Sequence, residues 1–268
     1  MNIQVDPFVI KWLLSLIVGT IWVAISATIA ERVSGRIGGL IIGLPSTVVI
    51  GLLFIGITQD LDSTITASTV ILFGTGTYCF YFLAYLLSSP KGFLHGVFVS
   101  LLIWLCSAIF AALATPKSFV VAVLWWFILV TLSLWFVNKK IRINHKLISK
   151  SISGSPIILK ALVTGTVISL IVLVSKIAGP RWGGALATFP ALTLSTILVT
   201  AKSGGIEFTR LIIKNVLIST TTTIGIFAIL SYFLLPVFGV VVGITISYLL
   251  LAIICVPLYF FVFEKLKD

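Results

Sequence analysis

Long apolar segments separated by short polar connections dominate the chain. Each is about 20 residues long, the length of one helical bilayer crossing, and the apolar runs are continuous rather than alternating as in a membrane barrel. The predicted spans are 8–30, 39–58, 65–87, 93–114, 118–137, 157–178, 183–201, 210–234 and 237–262. The pattern therefore predicts an all-α polytopic membrane protein with nine transmembrane helices.

Two similar motifs open spans 2 and 7, GRIGGLIIGLP at 35–45 and GPRWGGALATFP at 179–190. At a constant offset of 145, the residues Arg36, Gly38, Gly39 and Pro45 fall on Arg181, Gly183, Gly184 and Pro190. Five spans separate the copies, and because five is odd the copies face opposite sides of the membrane. This arrangement is typical of the inverted repeats of secondary transporters.

The similarity continues beyond these motifs, so that spans 1–4 repeat as spans 6–9. Asp62 falls on Glu207 and Thr64 on Thr209, and after a short deletion residues 96–109 resemble 239–253. Span 5 has no counterpart and supplies the extra crossing that inversion requires, which gives a 4+1+4 architecture. The predicted divisions are a first four-helix repeat at 1–115, a linker helix and loop at 116–156, and an inverted second repeat at 157–268.

Composition and charge fit this membrane interpretation. The chain has 268 residues, of which 59% are hydrophobic and 9% charged, against about 25% charged in soluble domains. Its net charge of +11 is explained by basic loops rather than by nucleic-acid binding. With the N-terminus outside, fourteen Lys and Arg lie inside and only Lys11, Lys117, Lys176 and Arg181 outside. This positive-inside bias predicts a cytoplasmic C-terminus.

The second half carries a family resemblance in the segment SKIAGPRWGGALATFPALTLSTILVTAKSGGIEFTRLIIKNVLIS. It resembles the GlpM-like (DUF3147-type) small bacterial membrane proteins, which are single units of about four spans. The resemblance covers 157–262 best and 8–114 more weakly. It implies a protein of the bacterial inner membrane and single units that pair antiparallel, and it implies little about the substrate.

The matched prolines predict discontinuous helices 2 and 7. Proline removes a backbone donor and breaks a helix, and the freed carbonyls need partners within the membrane. Half-helix N-termini that meet near the midplane would present free N–H groups to an anionic or carboxylate group. The alternative is a plain proline kink with small residues for close helix packing.

Hydroxyl and basic side chains complete the candidate site. Thr75 and Thr77 in span 3 and the threonines of span 8 could line a polar path, or bond to their own helix. Arg36 and Arg181 could attract an anion at each mouth, or anchor the interfaces by snorkelling. The candidate binding residues are Gly43, Pro45, Ser46, Thr47, Thr75, Thr77, Thr188, Pro190, Thr193, Thr220 and Thr222.

The sequence lacks the residues that several kinds of transport and catalysis require. No Asp or Glu lies deep in a span, which argues against proton pumps and divalent-cation carriers. The sequence has no catalytic or metal-binding motif, so we expect neither enzymatic activity nor a cofactor.

The leading expectation is a secondary transporter or facilitator of a small anionic or zwitterionic solute. A flippase for a lipid or lipid-linked phosphate, and a non-transporting membrane scaffold, remain alternatives. Expected partners are membrane lipids and the substrate, with no nucleic acid; a homodimer stays open.

Overall fold

The fold is all-helical throughout the part of the chain that the computed structural model describes, residues 6–32, 44–141 and 157–265. The helices are α1 Pro7–Arg32, α2 Ser46–Thr58, α3 Leu61–Ser88, a 3-10 helix Ser89–Lys91, α4 Phe93–Ala114, α5 Phe119–Lys140, α6 Ile157–Ala178, α7 Pro180–Leu186 and α8 Ala191–Lys265.

The segment Ala191–Lys265, labelled α8, is helical except at two glycines that interrupt it. Gly205 has φ 80° and Gly239 has φ 71°, a left-handed conformation that glycine adopts without a Cβ clash. These breaks divide α8 into a first section at 191–204, a second at 206–238 and a third at 240–265. Helix α8 therefore consists of three helical sections rather than one straight helix.

The helices are those of a membrane-embedded protein. Seven helical segments in the described ranges are long and apolar enough to cross a bilayer. One of them, Gly204–Cys255, has 52 residues, more than twice the length of one crossing, and it contains the Gly239 bend. Helix α2 has only 13 residues within the described part of the chain. The helix count alone therefore does not give the nine spans of the sequence prediction.

Helix α3 occupies the centre of the molecule. In its most apolar window 78% of the residues are buried, against 22% in α4 and in α5. It packs against α2, α4, α5, α7 and α8. Helices α4 and α5 instead expose large apolar side chains such as Leu94, Phe98 and Phe127, which suits contact with lipid.

The second glycine pair lets α7 approach two neighbours closely. A Cβ on Gly183 would lie 2.4 Å from the Cβ of Ser175 in α6, and one on Gly184 would lie 2.7 Å from the carbonyl oxygen of Ala67 in α3. Both distances are shorter than any real Cβ contact. The pair thus fixes α7 against α6 and the central helix, directly before the chain reaches Pro190.

Helices α1 and α6 form a close seam along most of their length. A Cβ on Gly19 would meet Ile168, and one on Gly165 would meet Thr20. Gly165 and Thr20 are themselves related by the offset of 145. Gly165 thus packs against the residue that the sequence offset pairs with it.

Helix α5 is wedged between α3 and α8 by Trp126. A Cβ on Gly76 of α3 would lie 3.1 Å from the Cα of Trp126, and one on Gly225 of α8 would lie 2.2 Å from its ring. The indole N–H of Trp126 donates to the carbonyl of Thr221 at 3.0 Å. Gly76 and Thr221 are also separated by 145 residues, so Trp126 contacts matched positions of both halves.

Matched hydrogen bonds mark the starts of α3 and of the second section of α8. The hydroxyl of Thr64 donates to the carbonyl of Asp60 at 2.7 Å, and that of Thr209 to the carbonyl of Gly205 at 2.9 Å. Asp60 caps α3 by accepting from the Ser63 N–H at 2.6 Å. This bond lowers the pKa of the Asp60 carboxyl, because it favours the ionised form.

Gly92 and Gly239 have a similar local structure, because both have positive φ and both precede a helical section. Four residues later, Gly96 and Gly243 each pack closely on the backbone of the segment before the glycine with positive φ. The sequence comparison paired Gly239 with Gly96 rather than with Gly92.

Candidate functional site

A partly enclosed cavity lies where the start of α2 meets the break between α7 and α8. It has about 60 Å³ of space for the centres of water-sized spheres. One water needs roughly 10–15 Å³ by this measure, so the cavity can hold a few waters or a small ion. Its lining residues are Leu44, Pro45, Ser46, Thr47, Val48, Tyr78, Ala187, Thr188, Phe189, Pro190, Leu192, Thr193, Thr196, Val216, Thr220 and Ile224.

The first wall of the cavity is the N-terminus of α2. Pro45 precedes the helix, with φ −80° and ψ 54°. The Ser46 N–H donates to the carbonyl of Leu44 at 2.8 Å, and the Val49 N–H donates to the carbonyl of Pro45 at 2.9 Å. Helix α2 therefore begins directly after the proline.

The opposite wall is the N-terminus of α8, which repeats this geometry. The Ala191 N–H donates to the carbonyl of Phe189 at 2.8 Å, and the Leu194 N–H donates to the carbonyl of Pro190 at 2.7 Å. Each donor and each acceptor is 145 residues beyond its counterpart at the start of α2. Two helix N-termini with the same local structure thus line one cavity.

Backbone donors are free at both helix starts. The N–H groups of Val48, Leu192 and Thr193 have no acceptor within the described ranges. The first N–H groups of any helix lack an intrahelical partner, and they carry the positive end of the helix dipole. The cavity is therefore lined by residues whose backbone N–H groups are unpaired.

Two hydroxyls at the cavity are also free. Thr47 and Thr220 line it, and neither side chain makes a hydrogen bond to another described residue. Thr193 differs, because its hydroxyl is 3.3 Å from the hydroxyl of Tyr78. Thr196 donates to the carbonyl of Leu192 at 2.9 Å. The available side-chain groups are thus those of Thr47 and Thr220, with Thr193 shared.

Trp104 of α4 donates a hydrogen bond to a backbone carbonyl at the break between α7 and α8. Its indole N–H donates to the carbonyl of Thr188 at 3.1 Å, and its ring packs edge-on against Phe189, with ring centroids 4.9 Å apart. The Thr188 hydroxyl donates to the carbonyl of Ala185 at 2.7 Å. Thr188 therefore lines the cavity, but its hydroxyl is already used to close the end of α7.

Three candidate threonines are not brought to the cavity. Thr75 is buried and donates to the carbonyl of Ile71 at 2.6 Å, while Thr77 donates to the carbonyl of Gly74 at 2.9 Å. Thr222 is half-buried and does not belong to the cavity lining. Thr75 and Thr77 thus follow the alternative expectation, bonding to their own helix.

The candidate mouth charges also lie apart from the cavity lining. Arg181 is half-buried in the first turn of α7. Arg36 and Gly43 lie outside the described residues. No charged side chain appears among the cavity-lining residues that the structure describes.

Sequence reasoning missed Tyr78, Trp104 and Thr196. Trp104 carried a usable signal, because an indole N–H in the middle of an apolar span needs an acceptor. Tyr78 directly follows the two threonines that were chosen in span 3. Its ring points to the cavity, whereas the threonine hydroxyls return to their own helix.

These helices and their exposed apolar faces define an all-α polytopic membrane protein. The profile of the family described as "Protein of unknown function (DUF3147)" matches residues 12–115. The segment 12–115 is therefore similar to the DUF3147 family, which supports the resemblance to DUF3147-type proteins; the GlpM-like name is consistent with it. The match falls on the first half, although the motifs seemed closer to the family over 157–262. No curated protein and no solved structure matches the chain.

Proposed function

We propose that the protein is a secondary transporter or facilitator that carries a small anionic or zwitterionic solute across the bacterial inner membrane. The observation that carries this proposal is the pair of matched helix N-termini, at Ser46 and Ala191, that line one partly enclosed cavity. The binding groups would be the free N–H groups of Val48, Leu192 and Thr193 and the hydroxyls of Thr47 and Thr220. We call these five groups the donor set.

The donor set favours a negative group over a cation. Amide N–H groups can only donate, and helix N-termini attract anions. A buried anion loses several kcal/mol of hydration unless donors meet it, and here donors come from two sides. A zwitterion could place its carboxylate on the same groups. No carboxylate among the described lining residues competes for them.

We further propose that the nine-span, 4+1+4 inverted repeat is the architecture behind this site. In this interpretation α7 and the first section of α8 are the two parts of discontinuous span 7, and α2 is the second part of discontinuous span 2. The matched bonds at both helix starts, and the packing of Gly165 on its counterpart Thr20, support it. Helix α5 is then the unpaired fifth span.

The cavity and its surroundings suit facilitated transport better than the scaffold interpretation. A scaffold needs only a packed centre, whereas this centre keeps space and unpaired donors. Arg36 and Arg181 would raise the local anion concentration at the two mouths. The absence of an acidic lining residue in the described ranges favours an anion-driven or passive mechanism over proton coupling, and we propose transport rather than catalysis.

Orientation is predicted by the charge asymmetry, with the N-terminus outside. In a background that lacks Cys79, Cys106 and Cys255, a single cysteine in the 59–63 loop should react with an impermeant thiol reagent added to intact cells. A cysteine in the 138–156 linker should react only after the cells are opened. The reverse pattern would show that the orientation is inverted.

The function itself is tested by solute flux in proteoliposomes. The panel comprises chloride, formate, phosphate, glycine, choline and sodium, with protein-free liposomes as the control. We expect protein-dependent flux of at least one small anion or of glycine, and none of choline or sodium. Flux of the cations alone, or of no solute, would overturn the transport proposal.

One observation favours a flippase as the second candidate. An open groove of about 490 Å³ runs between α3, α4 and α5, and its lining includes Phe80, Ile103, Phe110 and Trp125. Such a groove could accept an acyl chain. Its lining has no cationic side chain for a phosphate, which places it second. Protein-dependent movement of a fluorescent phospholipid in the same liposomes would favour it.

A further inference from the structure

Three tyrosines form a row along α3 that begins at the cavity. Tyr78, Tyr81 and Tyr85 are spaced i, i+3 and i+7, so they share one face of the helix. At 1.5 Å per residue, the row extends about 10 Å along the helix axis. We refer to these three residues as the tyrosine row.

The first member of the row touches the proposed site. The Tyr78 hydroxyl is 3.3 Å from the hydroxyl of Thr193, which lines the cavity at the start of α8. The ring of Tyr78 stacks on that of Tyr81, with centroids 5.4 Å apart and an interplanar angle of 18°. The row is therefore continuous with the cavity through packed rings.

The next polar groups along the helix are buried and poorly paired. The side chains of Tyr81, Tyr85 and Ser89 are completely buried. The hydroxyls of Tyr85 and Ser89 make no hydrogen bond to another described residue, and that of Tyr81 interacts only weakly, with the Ser100 side chain. An unsatisfied buried hydroxyl is destabilising, and phenylalanine would avoid the penalty at the tyrosine positions. A polar species that visits this face, either water or the solute, would satisfy these groups.

The row ends beside a cationic side chain. Tyr85 lies within electrostatic range of Arg210 on the second section of α8. Arg210 donates from Nη1 to Glu207 at 2.6 Å, while its Nε is buried with no acceptor in the described part of the chain. The arginine side chain is 13% exposed and that of Glu207 49%, so the pair lies between the buried row and the protein surface.

We infer that the tyrosine row is the route by which the solute passes between the cavity and the Arg210 end of α3, with Arg210 as the charge that attracts it there. This inference rests on the proposed function, and it adds the route and the preference for anions at one entrance. Hydroxyls that lack fixed partners can donate in turn to a passing anion. Under the proposed orientation, this entrance is the cytoplasmic one.

The first test replaces single hydroxyls along the row and measures the flux of the transported anion. Tyr81→Phe and Tyr85→Phe should each slow flux roughly fivefold, the factor that one lost hydrogen bond produces. Equilibrium binding should be unchanged, because these residues lie outside the cavity lining. Tyr232→Phe, whose ring stacks on Phe119, is the matched control and should leave flux unchanged.

Charge at the entrance is tested by two arginine variants. Arg210→Lys should retain most of the flux, whereas Arg210→Gln should reduce it most strongly at low salt, where screening is weakest. Unchanged flux in both tyrosine variants and in Arg210→Gln, with wild-type transport intact, would overturn the route and leave the proposed function standing.

A second readout does not depend on transport. In the cysteine-free background, Ser89→Cys should react with a small hydrophilic methanethiosulfonate reagent in detergent, because the route admits water. Ser15→Cys is the control: Ser15 is equally buried, but its hydroxyl is bonded to the carbonyl of Trp12, and it should stay unreactive. If neither cysteine reacts, the route is wrong. If wild-type protein moves no solute while Ser89→Cys reacts, the transport proposal fails and the hydrated route remains.

Discussion

Replacing Trp104 with Phe is expected to lower the free energy of unfolding by about 1–3 kcal/mol, the penalty for a buried polar group that loses its partner. The indole of Trp104 supplies the hydrogen bond to the Thr188 carbonyl at the break. Phenylalanine preserves much of the packing against Phe189 but cannot donate. The loss should appear as a lower midpoint in thermal unfolding, followed by helical circular dichroism in detergent.

The control for this variant is Trp135→Phe. Trp135 lies on α5 with 56% of its surface exposed, so the same chemical change there should alter the midpoint little. If the two variants are equally stable, the Thr188 carbonyl does not depend on the Trp104 indole, and a water or another group must donate to it.

The double variant Thr47→Val/Thr220→Val is expected to weaken binding of the transported solute by about thirtyfold. Each lost hydrogen bond contributes about 1 kcal/mol, which is about fivefold in affinity, and the two effects should add if the hydroxyls act independently. Valine is nearly isosteric with threonine, so the cavity should keep its shape. Equilibrium binding to purified protein measures the effect.

Thr75→Val is the matched control for the two cavity threonines. Thr75 is buried, but its hydroxyl donates to Ile71 within α3 and does not reach the cavity. The affinity of the Thr75→Val protein for the solute should equal that of the wild type. Equal affinities in the control and the double variant would remove Thr47 and Thr220 from the donor set.

The repeated prolines were the most informative feature of the sequence. Proline limits where a helix can begin, and α2 and α8 each begin directly after one of these prolines, Pro45 and Pro190. The all-helical, membrane-embedded character and the resemblance to DUF3147 proteins also followed from the sequence. Those conclusions rest on local chemistry and overall hydropathy, which a single sequence displays directly.

The hydroxyl groups were harder to place, because their direction depends on how helices pack. Successive helix residues turn by about 100°, so within a run of threonines only some can face the cavity. Thr220 does so together with Val216 and Ile224, one turn to either side, while Thr221 is buried and bonds to the carbonyl of Leu217. Trp104 was missed for a related reason: its acceptor is 84 residues away in the sequence.

The most direct test of the central claim is to locate an anion in crystals of the protein by anomalous diffraction from bromide. The account predicts an anomalous peak in the cavity between the starts of α2 and α8, within hydrogen-bonding distance of the Val48 and Thr193 amides. The peak should weaken in Thr47→Val/Thr220→Val crystals and persist in Thr75→Val crystals. A cavity without bromide at saturating concentration, or one that instead holds a cation in a parallel rubidium soak, would contradict the anion site.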